Sequence, residues 1–123
     1  MRQTISLLSL LFCAPLLVAD PPVQADFVVA TTGSDDSAGT LAKPFATPAR
    51  ARDAVRKLKA GAPPNRAVTV LVRGGTYVLK ETLVFGPDDS GTAQGRMVYA
   101  AHPDETPVFS GGRQIGGWDP GKV

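Results

Sequence analysis

Two adjacent glycines, Gly74 and Gly75, divide the most regular stretch of the sequence, VTVLVRGGTYVLKETLVF, which runs from Val68 to Phe85. Valines alternate with other residues before the glycines, with the two-residue period of a β-strand. Apolar residues resume directly after the glycines and continue to Phe85. Glycine is favoured where the backbone needs a positive φ or passes close to another segment. The pattern therefore predicts strands joined by a tight bend.

The rest of the chain after Ala67 is also composed of short strands and turns. Three further segments have strand character: RMVYAA (96–101), PVFSGG (107–112) and RQIGGW (113–118). The turns between strands mostly lack the residue pairs, such as Asn-Gly, that are typical of hairpins. Bends of this kind favour a solenoid of parallel strands stacked about 4.8 Å apart. The residues alone are also compatible with a sandwich or barrel, and with a hairpin or G1 bulge at the double glycine.

Residues 46–61 (ATPARARDAVRKLKAG) are the one segment with good helical character. Thr47 suits the N-cap, Pro48 suits the first helical position, and Gly61 with the two prolines after it predicts the end. Helical spacing places a narrow apolar stripe on one face: Ala51, Ala54, Val55 and Leu58. The helix is therefore expected to lie on a neighbouring surface.

The same helix is basic. Its cations are Arg50, Arg52, Arg56, Lys57 and Lys59. We interpret them as a solvated outer face, with Asp53 paired to Lys57 four residues later, in preference to a surface that binds acidic polysaccharide.

A short strand is predicted at residues 27–29, followed by a turn rich in Gly, Ser, Asp and Thr. The adjacent Asp35 and Asp36 invite a calcium interpretation. Calcium loops need several oxygen ligands at fixed offsets, which two neighbouring aspartates do not supply. We therefore predict a solvated turn.

The N-terminus has the features of a secretory signal peptide. Arg2 precedes an apolar segment at residues 5–18, which is shorter than the roughly 20 residues of a membrane span. The VQA at residues 23–25 predicts cleavage before Asp26, with cleavage after Ala19 as the second choice. A lipoprotein anchor at Cys13 is less favoured because Phe12 is too large for the position before it.

Export and charge together exclude several classes of function. Cys13 is the only cysteine, so the chain after cleavage contains neither a disulfide nor a thiolate metal site. The net charge of +2 argues against nucleic-acid binding. We expect a secreted or periplasmic protein, with no membrane association after cleavage and with one small domain or part of a larger one.

Three stretches, in order, resemble the N-terminal region of secreted bacterial right-handed parallel β-helix proteins of the pectin-lyase-like superfamily, especially its glycoside-hydrolase-type members. They are FVVATTGSDDSAGTLAKPFATPARARDAVRKLK, VTVLVRGGTYVLKETLVFGPDDSGT and MVYAAHPDETPVFSGGRQIGGW. The resemblance implies a mainly β fold, the start of such a β-helix, with an N-terminal strand and one amphipathic capping helix. Together with the predicted signal peptide at 1–25, it divides the chain into a strand and capping helix at 26–66 and the first coils of a truncated parallel β-helix at 67–123.

The sequence supplies no identifiable catalytic residue, cofactor-binding residue or metal ligand. In the resembled family the catalytic groups lie on later coils, and no position here matches one. The candidates that we interpret as turn or packing residues are Asp88, Asp89, His102, Asp104, Glu105, Tyr77 and Trp118. Adjacent carboxylates on a loop lack the roughly 5–10 Å separation of glycosidase pairs, and a single histidine offers no triad or metal cluster.

The expected function is the N-terminal portion of a secreted carbohydrate-active β-helix protein, of glycoside hydrolase or polysaccharide lyase type, with polysaccharide as the partner. The alternatives are a non-catalytic β-helix module for binding or structure at the cell surface, and a gene fragment without independent function. Residues 68–123 suffice for roughly two coils, whereas a solenoid needs about three repeats for stability. We therefore expect the chain alone to be marginally stable and inactive on polysaccharides.

Overall fold

The computed structural model of the protein describes residues 24–117 and residue 121. Most of the predicted signal peptide, and Trp118, lie outside the described residues. Five strands are present: β1 (Phe27–Val29), β2 (Val68–Val72), β3 (Gly75–Val78), β4 (Met97–Ala101) and β5 (Pro107–Ser110). One α-helix, α1 (Pro48–Gly61), and a 3-10 helix at Pro87–Asp89 complete the regular structure. The fold is mainly β with one helix.

All strand pairing among these elements is parallel. One sheet has the order β1–β2–β4, and the other contains β3 and β5. Val70 lies opposite Phe27 on one side and Tyr99 on the other, and Tyr77 lies opposite Phe109. The segment β2–β3 therefore runs through the first sheet, turns a corner and enters the second sheet, and the segment β4–β5 follows beside it. In the described part of the chain neither sheet closes into a barrel.

The double glycine lies at the first of these corners. The hairpin and bulge interpretations are wrong, because β2 and β3 belong to different sheets and do not pair. Gly75 has a φ of 130°, and a Cβ there would lie 2.8 Å from Cγ2 of Thr31. A Cβ on Gly74 would lie 3.3 Å from Cβ of Glu105. The expectation of a glycine-dependent corner is confirmed, since L residues rarely adopt this φ and space is short.

The core lies between α1 and the first sheet. The alternating valines of β2, Val68, Val70 and Val72, are buried against Ala51, Ala54 and Val55 of the helix and against Phe45. Leu58, the fourth residue of the predicted stripe, is 38% exposed, so the helix contacts the core along only part of its length. None of the helices in residues 24–117 is long and apolar enough to cross a membrane.

The ends of α1 follow from its sequence as predicted. The Thr47 hydroxyl accepts a hydrogen bond from the Arg50 amide at 3.2 Å, and Pro48 occupies the first turn. The helix includes Gly61 and ends there, with Ala62 extended as the C-cap. The two prolines that follow lack the amide hydrogens that a further turn would need.

Two predicted strands are not formed as expected. β3 ends at Val78, whereas the sequence pattern continued to Phe85. The Leu79 amide still donates to the Ser110 carbonyl at 2.8 Å, after which the chain bends at Lys80 and Glu81. Residues 113–117 have no strand assignment and are exposed. The bend explains the early end of β3, because it turns residues 80–85 away from the β3–β5 ladder.

Candidate functional site

The adjacent aspartates Asp88 and Asp89 have different environments. Asp89 is buried in the 3-10 helix, and its carboxylate accepts hydrogen bonds from Nε and Nη2 of Arg56 at 2.7 and 2.6 Å. It also accepts the Gly86 amide at 2.7 Å. The Arg56 guanidinium lowers the pKa of Asp89 to about 2. This carboxylate is held ionised as a structural anchor, and Asp88 is exposed.

Glu105 occupies a comparable position in the HPDET turn. Both of its oxygens accept from Nε of Arg73, at 2.9 and 2.8 Å, and the Gly74 amide donates to Oε2 at 2.6 Å. The Arg73 guanidinium, together with this amide, lowers the pKa of Glu105 to about 2. A carboxyl group with so low a pKa is a poor general acid near neutral pH. The HPDET turn between β4 and β5 is thereby held against the Arg73–Gly74 corner between β2 and β3.

His102 and Asp104 belong to the same turn. Nδ1 of His102 lies 3.8 Å from Oε1 of Glu105 and 3.2 Å from the Pro103 carbonyl oxygen. Asp104 has a φ of 61°, a conformation that Asp adopts more readily than most residues. The interpretation of these positions as turn residues agrees with this geometry.

Asp35 differs from the solvated turn that was predicted. Its Oδ1 accepts the amides of Ala46 and Thr47, both at 2.9 Å, and its Oδ2 accepts the Thr47 hydroxyl at 2.8 Å. The carboxylate therefore supports the first turn of α1, where negative charge is favourable. Asp36 is exposed.

The basic face of α1 is not the freely solvated surface that was predicted. Arg50 lies over the Phe45 ring at 4.9 Å, and Arg52 donates to the Val84 carbonyl at 3.0 Å. Lys59 donates to the carbonyls of Asp88 and Ser90. Asp53 pairs with Arg52 and Arg56 instead of the predicted Lys57. Most of these cations fasten residues 84–90 to the helix.

Tyr77 is buried in the core, which agrees with its interpretation as a packing residue. Its hydroxyl donates to the Arg73 carbonyl at 2.7 Å and lies 3.3 Å from the Val29 carbonyl, and its ring is 5.5 Å from that of Phe109. This side chain is therefore unavailable for stacking on a sugar.

A concavity with a volume of about 440 Å³ lies between the start of α1 and residues 79–83. We call it the polar cleft. Its polar lining residues are Thr31, Thr47, Thr76, Thr82, Arg52, Lys80 and Glu81. Hydroxyl, carboxylate and ammonium groups together suit a ligand rich in hydroxyls. Of the charged residues, Lys80 and Glu81 are exposed to solvent.

Among residues 24–117, no group of three His, Cys, Asp or Glu residues is positioned to hold a metal ion. Asp89 and Glu105 are engaged by arginines outside the cleft. The sequence-based prediction that the chain supplies no catalytic or cofactor-binding residue stays a prediction.

Sequence reasoning missed the two arginine partners, Arg56 and Arg73. Each lies far along the chain from its carboxylate, Asp89 or Glu105, and no local pattern links the two members of a pair. The sequence gives only an indirect indication of these pairs. Each carboxylate lies in a turn, and each turn lies beside a segment from earlier in the chain, α1 for Asp89 and the end of β2 for Glu105.

Comparison with solved structures finds a match titled "Glycoside hydrolase", with a TM-score of 0.73 and 33% sequence identity. The match covers 78% of this chain and 16% of that protein. No family model matches the sequence, and no curated protein matches it. The structure of this chain is therefore glycoside-hydrolase-like, and it corresponds in extent to a small part of the matched enzyme.

Proposed function

We propose that this chain is the N-terminal portion of a secreted carbohydrate-active protein built on a right-handed parallel β-helix, of glycoside hydrolase or polysaccharide lyase type. The observation that carries the proposal is the 33% identity to a glycoside hydrolase at a TM-score of 0.73. The coverage of 16% of that protein supports a role as part of a longer polypeptide.

The strand order supports the β-helix component. β2 pairs with β4 and β3 pairs with β5, so two successive chain segments follow the same path around a corner. Parallel strands connected within a sheet cross over in a right-handed sense in about 98% of cases. In this proposal β1 and α1 cap the first coil, and catalysis belongs to other parts of the protein, since Asp89 and Glu105 are structural.

Export is part of the proposal. The Asp26 amide donates to the Thr69 carbonyl at 2.8 Å, and its carboxylate pairs with Arg66. After cleavage before Asp26, the new α-ammonium group would still donate to the Thr69 carbonyl, and the Asp26 carboxylate would keep its pair with Arg66. N-terminal sequencing of the exported protein is expected to start at Asp26, and a protein that keeps Met1 in the cytoplasm would contradict export.

The polar cleft favours a second candidate, a non-catalytic polysaccharide-binding module. Its exposed Lys80 and Glu81 are available to a ligand, unlike the arginine-bound carboxylates. A double variant, Lys80→Ala with Glu81→Ala, tests this cleft. Lys57→Ala with Asp36→Ala is the matched control, because it also removes one exposed cation and one exposed carboxylate.

The decisive experiment compares the exported protein, as the cell secretes it, with a protein that consists of residues 26–123 alone. Both are tested on a panel of neutral and acidic polysaccharides. Reducing-end release reports hydrolysis, ultraviolet absorbance of unsaturated products reports a lyase, and affinity electrophoresis reports binding. Turnover by the exported protein but not by residues 26–123 supports the first proposal. Binding without turnover, weakened only by the cleft variant, supports the second. The absence of both turnover and binding would contradict both proposals. Sequencing downstream of codon 123 would test the gene-fragment alternative.

A further inference from the structure

Within the described residues, β3 has one edge that no strand covers, because it pairs with β5 alone. The amides of Gly75 and Leu79 donate to carbonyls on the β5 side. Every second residue of a parallel strand bonds to the same neighbour, so Tyr77 also faces β5. The N–H and C=O groups of Thr76 and Val78 therefore point to the opposite side. We call this side of β3 the free edge.

The free edge borders the polar cleft. Thr76 and Val78 both line the cleft and are exposed, and the first turn of α1 forms another wall. Thr31 and Thr82 add exposed hydroxyl groups, and the apolar side chain of Val78 is 52% exposed. The volume of about 440 Å³ lies in the range of pockets that bind small ligands. The cleft therefore combines backbone donors and acceptors, hydroxyls and an apolar surface.

Charges in and around the cleft balance one another. Arg52 pairs with Asp53 at 2.8 Å. Lys80 and Glu81, both exposed, are adjacent in the chain and contribute opposite charges. The Asp35 carboxylate already accepts the amides at the start of α1, which would otherwise attract an anion. The cleft therefore has no excess positive charge with which to hold an acidic ligand.

Neutral hydroxyl groups match this set of partners. A hydroxyl both donates and accepts hydrogen bonds, whereas an ionised carboxylate only accepts. Hydroxyls can therefore satisfy the N–H and the C=O groups of the free edge in turn. A carboxylate in the same place would lie against backbone carbonyls and the carboxylate of Glu81, which is electrostatically unfavourable.

An extended peptide also alternates donors and acceptors, and peptides can add to an open sheet edge as a further strand. β3 is only four residues long, and the chain bends at Lys80 soon after it ends. So short an edge offers a peptide few ladder bonds. The hydroxyls and charged groups around the edge favour a glycan instead.

We propose that the polar cleft binds a neutral glycan and discriminates against chains that contain uronates. Hydroxyls of the glycan bond to the free edge at Thr76 and Val78, to Lys80 and to Glu81, and its ring carbons pack against the Val78 side chain. The inference rests on the second candidate function, polysaccharide binding at this cleft, and adds the chemical class of the polysaccharide.

Matched polysaccharides test this class. Affinity electrophoresis of the exported protein compares hydroxyethyl cellulose with carboxymethyl cellulose, arabinoxylan with glucuronoxylan, and galactan with polygalacturonate. A neutral member is expected to bind on the order of tenfold more tightly than its acidic counterpart. Added salt should leave this binding unchanged, because it does not depend on net charge.

The outcomes separate this inference from the candidate function beneath it. Tighter binding of the acidic members, lost in the Lys80→Ala/Glu81→Ala variant, would overturn the neutral class while polysaccharide binding at the cleft stands. Binding of neutral members that this variant leaves intact would overturn the assignment to the cleft. Binding to no glycan, or to an extended peptide only, would overturn both.

Charge reversal tests the role of Glu81. Glu81→Lys adds positive charge to the cleft and is expected to shift the preference toward the acidic member of a pair on the order of tenfold. Asp36→Lys is the matched control, because it makes the same change at an exposed carboxylate that does not line the cleft. An equal shift in both variants would contradict the proposal.

A proline tests the free edge itself. Val78→Pro removes the N–H that points into the cleft and leaves the bonds from Gly75 and Leu79 to β5 in place. It is expected to weaken neutral-glycan binding on the order of fivefold, and thermal melting reports whether it folds. If it does not fold, amide chemical shifts of Thr76 and Val78 in the unaltered protein decide the question. Shifts that do not move when the bound neutral polysaccharide is added would overturn binding at the free edge.

Discussion

The Asp89 carboxylate accepts two hydrogen bonds from the Arg56 guanidinium, at 2.7 and 2.6 Å, although the two residues are far apart in the sequence. Only 3% of the Asp89 side chain is exposed, and the Gly86 amide donates to the same group. This relationship ties the loop after β3 to the exposed side of α1. The buried member of the Asp88–Asp89 pair, which a sequence reader could assign to glycoside chemistry, thus has a structural role.

Substitution of Asp89 is expected to destabilise the protein. Asp89→Asn places an amide against the donors of Arg56 and Gly86, and poorly satisfied buried groups of this kind cost on the order of 1–3 kcal/mol. Urea unfolding monitored by circular dichroism provides the measurement. Asp53→Asn is the matched control, because Asp53 is 51% exposed and pairs with the same helix, and its cost should stay within about 0.5 kcal/mol. Equal effects would show that burial of Asp89 is unimportant.

Acid should weaken the fold in a defined window. The pKa of Asp89 falls from 3.8 to about 2, and that of Glu105 falls from 4.5 to about 2, so the unfolded chain binds more protons between these values. Their stabilising contribution is therefore complete above about pH 4.5 and is lost as the pH falls through 2. Carboxyl chemical shifts and unfolding free energies measured from pH 7 to pH 2 check this.

The pH profile has its own control. Glu105→Gln should flatten the loss of stability between pH 4.5 and 2, because one of the two shifted groups is removed. Asp36→Asn, at an exposed turn position, is the control for removal of a carboxylate. A Glu105 signal that titrates at its ordinary pKa would contradict the ion pair with Arg73.

A side chain at the first corner should be costly because of the backbone that Gly75 adopts. Gly75→Ala must adopt a φ of 130° and places its Cβ 2.8 Å from Thr31, which should cost on the order of 1–3 kcal/mol. At Gly86 nothing lies within 4 Å of an added Cβ, so Gly86→Ala should be close to neutral. Urea midpoints of the two variants provide the comparison, and equal midpoints would refute a strained corner.

The two tyrosines that border the strand pairs should respond oppositely to loss of the hydroxyl. Tyr77 donates to the Arg73 carbonyl at 2.7 Å, so Tyr77→Phe should cost about 0.5–1.5 kcal/mol. The Tyr99 hydroxyl is buried without a hydrogen-bond partner among the described residues, so Tyr99→Phe should be neutral or stabilising. Thermal melting of both variants tests this, and a larger loss for Tyr99→Phe would indicate an unrecognised partner.

Local signals made the helix and the main strands predictable. Thr47 and Pro48 define the start of α1 through capping and ring geometry, and the alternating valines define β2, because these effects act over a few residues. The double glycine correctly indicated a corner that needs unusual backbone.

Long-range pairing was not predictable in the same way. Arg56 was interpreted as part of a solvated face because its partner, Asp89, lies in a distant turn of the sequence. Asp35 was interpreted as a solvated turn residue because its hydrogen-bond donors, the amides of Ala46 and Thr47, lie more than ten residues later in the sequence. The pattern from Thr76 to Phe85 also could not reveal the bend at Lys80, since apolar spacing reports burial and not chain direction.

The two corners that connect the first sheet to the second differ in length. Val72 pairs with Ala101 at the end of the first sheet, and Gly75 pairs with Pro107 at the start of the second. The later corner, which contains the HPDET turn and Glu105, is therefore longer than the earlier corner at Arg73 and Gly74. Strand stacking thus tolerates corners of unequal length, so insertions there should be accepted. Grafting a short peptide next to Asp104 would turn this corner into a display position, while Glu105 keeps the strands on either side in place.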